Sequence, residues 1–181
     1  MRIFLAGIAC VGKTTIGAKL AKLLDYHFFD LDLEIECLFG MSIERLQSRY
    51  LTPYSFRTEA SRALIRLLAR QNSVNSVIAS PPSGLMDHYW KVIKKTAESI
   101  VVVLQDTPEN IVKRITFYDI DSRQIQRNLT ERERRLYLRQ IKRDIAYFQR
   151  TYQRAHITVD IAGWSPDEAS LRIKDMLMRA R

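Results

Sequence analysis

Short apolar runs and longer amphipathic stretches follow one another along the chain. Five of the runs are rich in apolar and β-branched residues, which is typical of buried strands. They lie at residues 2–7, 26–32, 76–80, 99–105 and 156–160. Because strands that alternate with helices build parallel sheets, the pattern predicts an α/β fold with a five-stranded, mainly parallel sheet.

The stretches between these runs carry apolar residues at three- and four-residue spacing, as a helix with one buried face does. Polar caps mark the starts: Thr52 precedes a proline, and Thr130–Glu133 and Ser165–Glu168 form predicted capping boxes. The first helix is expected to bury Ile16, Leu20, Leu23 and Leu24. The helix after residue 130 is expected to bury Tyr137, Ile141, Ile145, Phe148 and Tyr152.

The composition fits a single domain, residues 1–181. With 181 residues, 46% of them hydrophobic, the chain can bury a sizeable core. Two cysteines do not make a disulfide framework, and no apolar run reaches the roughly 20 residues that span a bilayer. The apolar start is too short for a signal-peptide core of about 7–15 residues. We therefore expect a cytoplasmic protein with no membrane partner.

The net charge is +9, and much of the excess lies between Lys113 and Arg154. Such a surface suits nucleic acid or small phosphorylated and carboxylated ligands. No pattern of stacking aromatics accompanies the charge, so nucleic acid is disfavoured as a partner. Trp90 and Trp164 are interpreted as packing residues, and the protein is expected to be a monomer.

The segment "GIACVGKTT", residues 7–15, matches the phosphate-binding pattern G-x-x-x-x-G-K-[ST] between a predicted strand and a predicted helix. Its glycines let successive N–H groups point at phosphate oxygens, and the helix adds its N-terminal dipole. We expect Lys13 to reach the β- and γ-phosphates and Thr14 to bind Mg²⁺. The expected nucleotide-binding residues are Gly7, Ala9, Cys10, Val11, Gly12, Lys13, Thr14 and Thr15.

Two acids, Asp30 and Asp32, close the second predicted strand. Residues two apart in an extended chain face the same way, so both carboxylates are expected to look toward the phosphate loop. The alternative is that one of them caps the helix that follows.

The segments "GKTTIGAKLAKLL", "FFDLDLEIE", "GMSIERL" and "FRTE" resemble, in order and spacing, the shikimate kinases. The segment "VVVLQDTPENIVKRI", with "VD" at 159–160 and "SP" at 165–166, extends the resemblance over nearly the whole chain. It implies a three-layer P-loop kinase fold with helices flanking the sheet. It also implies an acceptor-binding region at about 31–60, a lid at about 118–130, and transfer of the γ-phosphate of ATP to a shikimate hydroxyl.

Carried over by position, the resemblance gives Asp30 a role in holding Mg²⁺ through water. Asp32 would bind the acceptor's hydroxyls and take a proton from the attacking one, and Arg57 would grip the acceptor's carboxylate. A solvated helix arginine is the alternative for Arg57. Arg114 and Pro166 would lie against adenine, and for Arg114 the alternative is a charge that interacts with a helix dipole.

The acceptor side departs from the family pattern at two places. Pro81, Pro82 and Ser83 stand where the family has three successive glycines. Proline fixes φ and lacks an N–H, so this wall of the acceptor site is expected to differ in shape and in donors. The family's acid three residues after the arginine is also missing: Ala60 holds that place, and Glu59 is rotated from it by about 100° on a helix.

The lid and the late arginines depart as well. The segment "DIDSRQIQRNL" lacks the family's lid proline, and of Arg123 and Arg127 the first is the better match for a lid arginine that stabilises charge on the transferred phosphoryl group. For the family's later acceptor-binding arginine, Arg143 and Arg150 are the candidates.

The expected function is an ATP- and Mg²⁺-dependent kinase whose acceptor carries hydroxyls and a carboxylate, either shikimate or a related hydroxy acid. One alternative is a degenerate nucleotide-binding module with a regulatory or partner-binding role, in which the basic helix 131–154 is a partner surface. Another is phosphorylation of a nucleotide or an RNA end.

Overall fold

The computed structural model describes residues 1–179; the predicted domain extends two residues beyond them. The strands are β1 (Arg2–Ala6), β2 (His27–Asp30), β3 (Ser76–Ala79), β4 (Ser99–Gln105), β5 (Phe117–Tyr118), β6 (Gln124–Ile125) and β7 (Ile157–Asp160). The helices are α1 (Lys13–Leu24), α2 (Leu31–Phe39), α3 (Ile43–Gln47), α4 (Pro53–Leu68), α5 (Asp87–Ile93), α6 (Pro108–Val112), α7 (Glu131–Tyr152) and α8 (Pro166–Arg179).

Five strands form one sheet in the order β2-β3-β1-β4-β7, and every pairing in it is parallel. All four residues of β3 are buried, as are most of those in β1 and β4, because helices flank the sheet. The α/β prediction is therefore confirmed. Parallel strands bring their carboxyl ends to one edge, so the segments that follow β1, β2, β3 and β4 meet there.

The predicted helix caps are present. Thr130 and Glu133 form a reciprocal capping box at the start of α7, and the Thr52 hydroxyl accepts the N–H of Ser55 at the start of α4. The apolar stripe of α7 packs on the core, with Ile141 and Tyr152 fully buried. None of the helices among residues 1–179 has the length and apolar character that crossing a membrane would need.

Two expectations about local structure are wrong, and two elements were not predicted. The strand predicted at 26–32 ends at Asp30, because the Asp30 side chain accepts the N–H of Asp32 and starts α2. Leu23 is 39% exposed, since it lies at the edge of the buried face of α1. The helix α5 and the hairpin β5–β6 follow no clear hydrophobic period and were not predicted.

Candidate active site

The phosphate loop follows β1 and leads through Gly12, the N-cap residue, into α1. Gly7 and Gly12 have φ of 143° and 109°, values that side-chain-bearing residues rarely adopt. A Cβ added to Gly7 would lie 2.7 Å from the Leu104 carbonyl oxygen, so the loop can pass β4 only with glycine there. The loop therefore has the backbone shape that the sequence pattern predicts.

The Lys13 side chain curls back over this loop. Its Nζ donates to the Gly7 carbonyl at 2.9 Å and to the Ile8 carbonyl at 2.8 Å. Burial of the ammonium group lowers the pKa of Lys13 to about 8, although Asp32, Cys10 and Asp30 favour the charged form. Phosphate oxygens can take over from the two carbonyls without a large movement of the side chain.

The Asp30 carboxylate joins the loop to α2. Its Oδ2 accepts the Thr14 hydroxyl at 2.7 Å, while its Oδ1 accepts the N–H of Asp32 at 3.0 Å. Asp30 therefore makes both the expected contact with the loop and the helix cap that was its alternative. A hydroxyl and a carboxylate side by side are oxygen donors of the kind that Mg²⁺ prefers, so this pair fits the expected cation.

Asp32 lies in the first turn of α2 and lines two cavities. The first, of about 420 Å³, also contains Thr14 and Asp30, and we call it the Asp30 cavity. The second, of about 300 Å³, also contains Arg57, and we call it the Arg57 cavity. Burial raises the pKa of Asp32 to about 6, and the neighbouring Asp30 charge adds to the rise. The Asp32 carboxylate is therefore a weak base at the junction of the two spaces.

The Arg57 cavity has mostly apolar walls. Phe56 and Arg57 from α4, Pro81 to Ser83 after β3, Tyr89 from α5 and Phe148 from α7 line it. Burial raises the pKa of Tyr89 well above its usual range, so its hydroxyl stays protonated and able to donate. The predicted acceptor region, about 31–60, thus supplies only part of the lining.

Residues 81–83, which we call the proline wall, turn back after β3. The Pro81 carbonyl accepts the N–H of Gly84 at 2.8 Å, and a Cβ on Gly84 would lie 2.5 Å from Ser80 Cβ. The Tyr152 hydroxyl donates to the Pro82 carbonyl at 3.0 Å. The wall is therefore held in place by α7 and keeps a cavity beside it, despite the two prolines.

Arg57 has a partner that the sequence did not reveal. Its Nε donates to Asp87 Oδ2 at 2.9 Å, and the two side chains are 14% and 29% exposed. Glu59 instead forms an ion pair with Arg62 on the outer surface of α4. Asp87, at the start of α5, is therefore the acid that supports Arg57, since Ala60 has no carboxylate. The one sequence signal for it is an acid after the turn residues 81–86.

A third cavity, of about 360 Å³, lies beside the phosphate loop, and we call it the P-loop cavity. Its lining includes Gly12, Thr15, Arg114, Trp164 and Pro166. Arg114 is an ion-pair partner of Asp106, and its Nη1 donates to the Val11 carbonyl at 3.4 Å. The structure thus brings the two residues expected at adenine, Arg114 and Pro166, to one space next to the loop. It also places Trp164 there, which was interpreted as a packing residue only.

Strands β5 and β6 form a hairpin in the segment predicted to be the lid, and the tip of this hairpin contacts α2 and α3. The Ser42 hydroxyl bonds to the Ile120 carbonyl, Arg45 pairs with Asp121 at 2.7 Å, and Ser122 bonds to Glu36 and Glu44. These contacts close one side of the Asp30 cavity, which Ser122 lines.

The two lid arginines differ in their surroundings. Arg127 pairs with Glu133 and lies 5.2 Å from the Phe117 ring, so its guanidinium is already engaged. The side chain of Arg123 is exposed, and its backbone is tied to Asp119. Both side chains are exposed, so the two arginines differ in that the Arg127 guanidinium is paired with Glu133 of α7.

Arg143 and Arg150 are exposed on α7, and neither belongs to the described lining of the Arg57 cavity. Relative to Phe148, which does line it, they are offset by five and two residues, which turns both to the far side of the helix. The structure therefore does not bring either candidate to the acceptor side. Arg57 is the arginine that lines this cavity.

Comparisons with known proteins give a consistent result. A family model described as "Shikimate kinase" matches residues 9–177. A shikimate kinase of Chlorobium phaeovibrioides is 30% identical over 162 residues, which are 87% of this chain and 77% of that protein. The first three curated relatives are matched over only 22%, 64% and 42% of their own lengths.

Solved structures resemble the whole fold. The crystal structure of a shikimate kinase from Bacteroides thetaiotaomicron gives a TM-score of 0.79 at 22% identity, covering 98% of both chains. A shikimate kinase from Acinetobacter baumannii, solved in complex with shikimate, gives 0.76 at 25% identity and covers 99% of this chain and 94% of that one.

Proposed function

The chain belongs to the shikimate kinase family, and from that premise we propose that it transfers the γ-phosphate of ATP to a hydroxyl of shikimate. The relatives that support this proposal are named shikimate kinases, and one similar structure was solved with shikimate bound. Phosphoryl transfer by such a kinase needs a nucleotide site, a cation site and an acceptor site in a line.

One observation carries the proposal: Asp32 belongs to the walls of both the Asp30 cavity and the Arg57 cavity. An acceptor hydroxyl held by Asp32 would therefore face the side of the site where Thr14 and Asp30 lie. The Arg57 guanidinium, in the second cavity, is placed to hold a carboxylate on the rest of the acceptor.

On the donor side, Lys13 would exchange its two carbonyl partners for phosphate oxygens, and the N–H groups of residues 7–15 would surround them. Mg²⁺, held by Thr14 and Asp30, would neutralise charge on the phosphates. These groups act mainly by position and charge, because a loose transition state for phosphoryl transfer requires little covalent help.

On the acceptor side, Asp32 would accept a hydrogen bond from the attacking hydroxyl and receive its proton. With a pKa of about 6, the Asp32 carboxylate is ionised at neutral pH and is a stronger base than an exposed aspartate. Arg123, from the lid, would meet the developing negative charge when the lid closes over the phosphates and excludes water.

The acceptor's ring would rest against the proline wall, Phe148 and Tyr89. An apolar wall without N–H donors suits the carbon face of a ring, and Arg57 and Asp32 then supply the polar contacts. The family's glycine N–H groups have no replacement from Pro81 and Pro82, so we expect weaker binding of hydroxyls on that side.

The test is ADP release from Mg·ATP with and without shikimate, followed by identification of the phosphorylated product. Saturable stimulation by shikimate is the expected result. If another hydroxy acid stimulated ADP release and shikimate did not, the protein would still be a kinase, and its acceptor would be that hydroxy acid. ATP turnover that no small hydroxy acid increases would instead favour the nucleotide-binding module.

A further inference from the structure

Trp164 lies in the turn between β7 and α8, where its side chain does two things. Part of the indole packs against the core, and part of it lines the P-loop cavity. The turn itself is fixed, because the Trp164 N–H donates to the Ile161 carbonyl at 3.0 Å and the Asp160 carboxylate accepts the N–H of Ala162. The backbone that carries the indole is therefore ordered on both sides.

The indole ring is also covered by a cation. Arg172 lies on α8, more than one turn after the start of the helix. Its guanidinium is 4.2 Å from the centroid of the Trp164 ring. Such cation–π contacts are favourable and hold an aromatic side chain in one orientation. Arg172 thus lies over one face of the ring, and Trp164 is also one of the residues that line the P-loop cavity.

Arg114 is a second flat group in the same cavity. Its guanidinium is fixed by the ion pair with Asp106 and by contacts with the Val11 and Asn110 carbonyls. Gly12 and Thr15 of the phosphate loop complete the adjoining wall. This cavity therefore suits a ligand that has phosphate at one end, at the loop, and a flat ring at the other.

We propose that Trp164 is a base-stacking residue of the nucleotide site, held in position by Arg172. Aromatic side chains stack on nucleobases because every base has a π-face, and guanidinium groups add a cation–π contribution. The inference rests on the proposed function only in that it needs a nucleotide to bind at the phosphate loop. It adds a binding residue, and it does not depend on which acceptor is phosphorylated.

The chain offers a matched control in its other tryptophan. Trp90 is half-buried too, and the Arg154 guanidinium lies 5.5 Å from its ring centroid. Trp90 lines none of the three cavities described above. The two residues therefore share an environment and differ in whether a nucleotide base can reach them.

The first experiment is an ADP titration followed by intrinsic fluorescence. The Trp90→Phe variant, in which Trp164 is the remaining tryptophan, is expected to show saturable quenching. The Trp164→Phe variant, which reports on Trp90, is expected to show none. Quenching in Trp164→Phe of the size seen in the wild type, or a silent Trp90→Phe variant that still binds ADP by calorimetry, would overturn the proposal.

The second measurement is the dissociation constant of ADP, taken by calorimetry on variants whose thermal unfolding has been checked. Trp164→Leu is expected to weaken ADP binding about tenfold, and Trp164→Phe, which keeps an aromatic face, by much less. Equal affinities in wild type and Trp164→Leu would overturn the proposal. In turnover assays the loss is expected in KM for ATP with kcat nearly unchanged, whereas general damage to the fold would lower kcat.

These readouts separate two failures. If ADP binds and Trp164 responds but shikimate is not phosphorylated, the proposed function fails and the assignment of Trp164 stands. If shikimate is phosphorylated and the Trp164→Leu variant binds ADP normally, the proposed function stands and the assignment of Trp164 fails. If the wild-type protein binds no ADP, both are wrong.

Discussion

The donor half and the acceptor half of the site differ in how their parts are supplied. The donor half is built around one contiguous segment, residues 7–15, whose backbone N–H groups are predicted to make most of the contacts with phosphate. The acceptor half collects side chains from six separated places: α2, α3, α4, the proline wall, α5 and α7. A contiguous loop has a sequence pattern, and a wall assembled from distant segments does not.

The difference also shows where substitution is tolerated. Gly7 cannot accept a Cβ without displacing β4, so the loop keeps its pattern. On the acceptor side, Pro81 and Pro82 stand where the resemblance predicts glycines, and Asp87 of α5 pairs with Arg57 where the resemblance predicts an acid on α4. The Tyr152 hydroxyl then supports the new wall from α7. Where this half departs from the expected pattern, the supporting contacts thus come from other segments, α5 for Arg57 and α7 for the proline wall.

The largest expected effect comes from the donor half. Lys13→Met removes the charge that would bind the β- and γ-phosphates, and we expect kcat to fall about 10³-fold. Steady-state kinetics with saturating ATP and acceptor measures the change. Lys22→Met, on the exposed last turn of the same helix, is the matched control and should stay within twofold of wild type. If the kcat of Lys13→Met stayed within tenfold of the wild-type value, Lys13 would not be the central residue of the donor half.

On the acceptor half, Arg57→Lys replaces a planar fork by a point charge. We expect KM for the acceptor to rise about 10- to 100-fold, because the paired hydrogen bonds of the guanidinium to a carboxylate are lost although the charge remains, while KM for ATP stays unchanged. Arg62→Lys on the outer surface of the same helix is the control. A rise in KM for ATP alone would place Arg57 on the wrong half of the site.

The pH profile tests both halves at once. Asp32, with a pKa of about 6, must be ionised to accept a proton, so kcat/KM should fall about tenfold per pH unit below 6. Lys13, with a pKa of about 8 in the free protein, must be charged to bind phosphate, so kcat/KM for ATP should fall above 8. Asp32→Asn should abolish the acidic limb and keep the alkaline one. An acidic limb that persists in this variant would belong to another group.

Asp87→Asn tests the compensation itself. The residue has a φ of 46°, which asparagine also tolerates, so the fold should survive. Loss of the charge beside Arg57 is expected to raise KM for the acceptor about fivefold with kcat little changed, as for a residue that orients another ligand-binding group. Glu59→Gln is the control and should have no effect, since Glu59 pairs with Arg62. If Glu59→Gln raised KM for the acceptor more than Asp87→Asn did, the residue that supports Arg57 would be Glu59 on α4.

The smallest effect is expected at the lid tip. Arg45 and Asp121 are 51% and 43% exposed, so water and salt screen their ion pair and its contribution is small. Arg45→Gln should therefore raise acceptor-independent ATP hydrolysis only about twofold to threefold, by leaving the lid open more often. Arg49→Gln, exposed just after the same helix, is the control. An unchanged hydrolysis rate at low salt, where ion pairs are strongest, would show that this contact does not hold the lid.

Much of the fold could be predicted from the sequence. The strands of the main sheet and the capped helices have clear local signals, and they are present with shifts of a few residues. Asp32 was assigned to a strand and lies in a helix, because the cap made by Asp30 ends β2 early. Arg143 and Arg150 were chosen by position along the chain, and only the orientation of α7 shows that they face away from the acceptor side.

The sequence by itself determined the phosphate loop, the order of strands and helices and the acids that follow β2, because each depends on neighbouring residues. Tertiary structure alone decided that Asp87 supports Arg57, that Tyr152 holds the proline wall and that Trp164 borders the P-loop cavity. These contacts join residues that are distant along the chain, so they exist only once the parallel sheet has brought the segments after its strands to one edge.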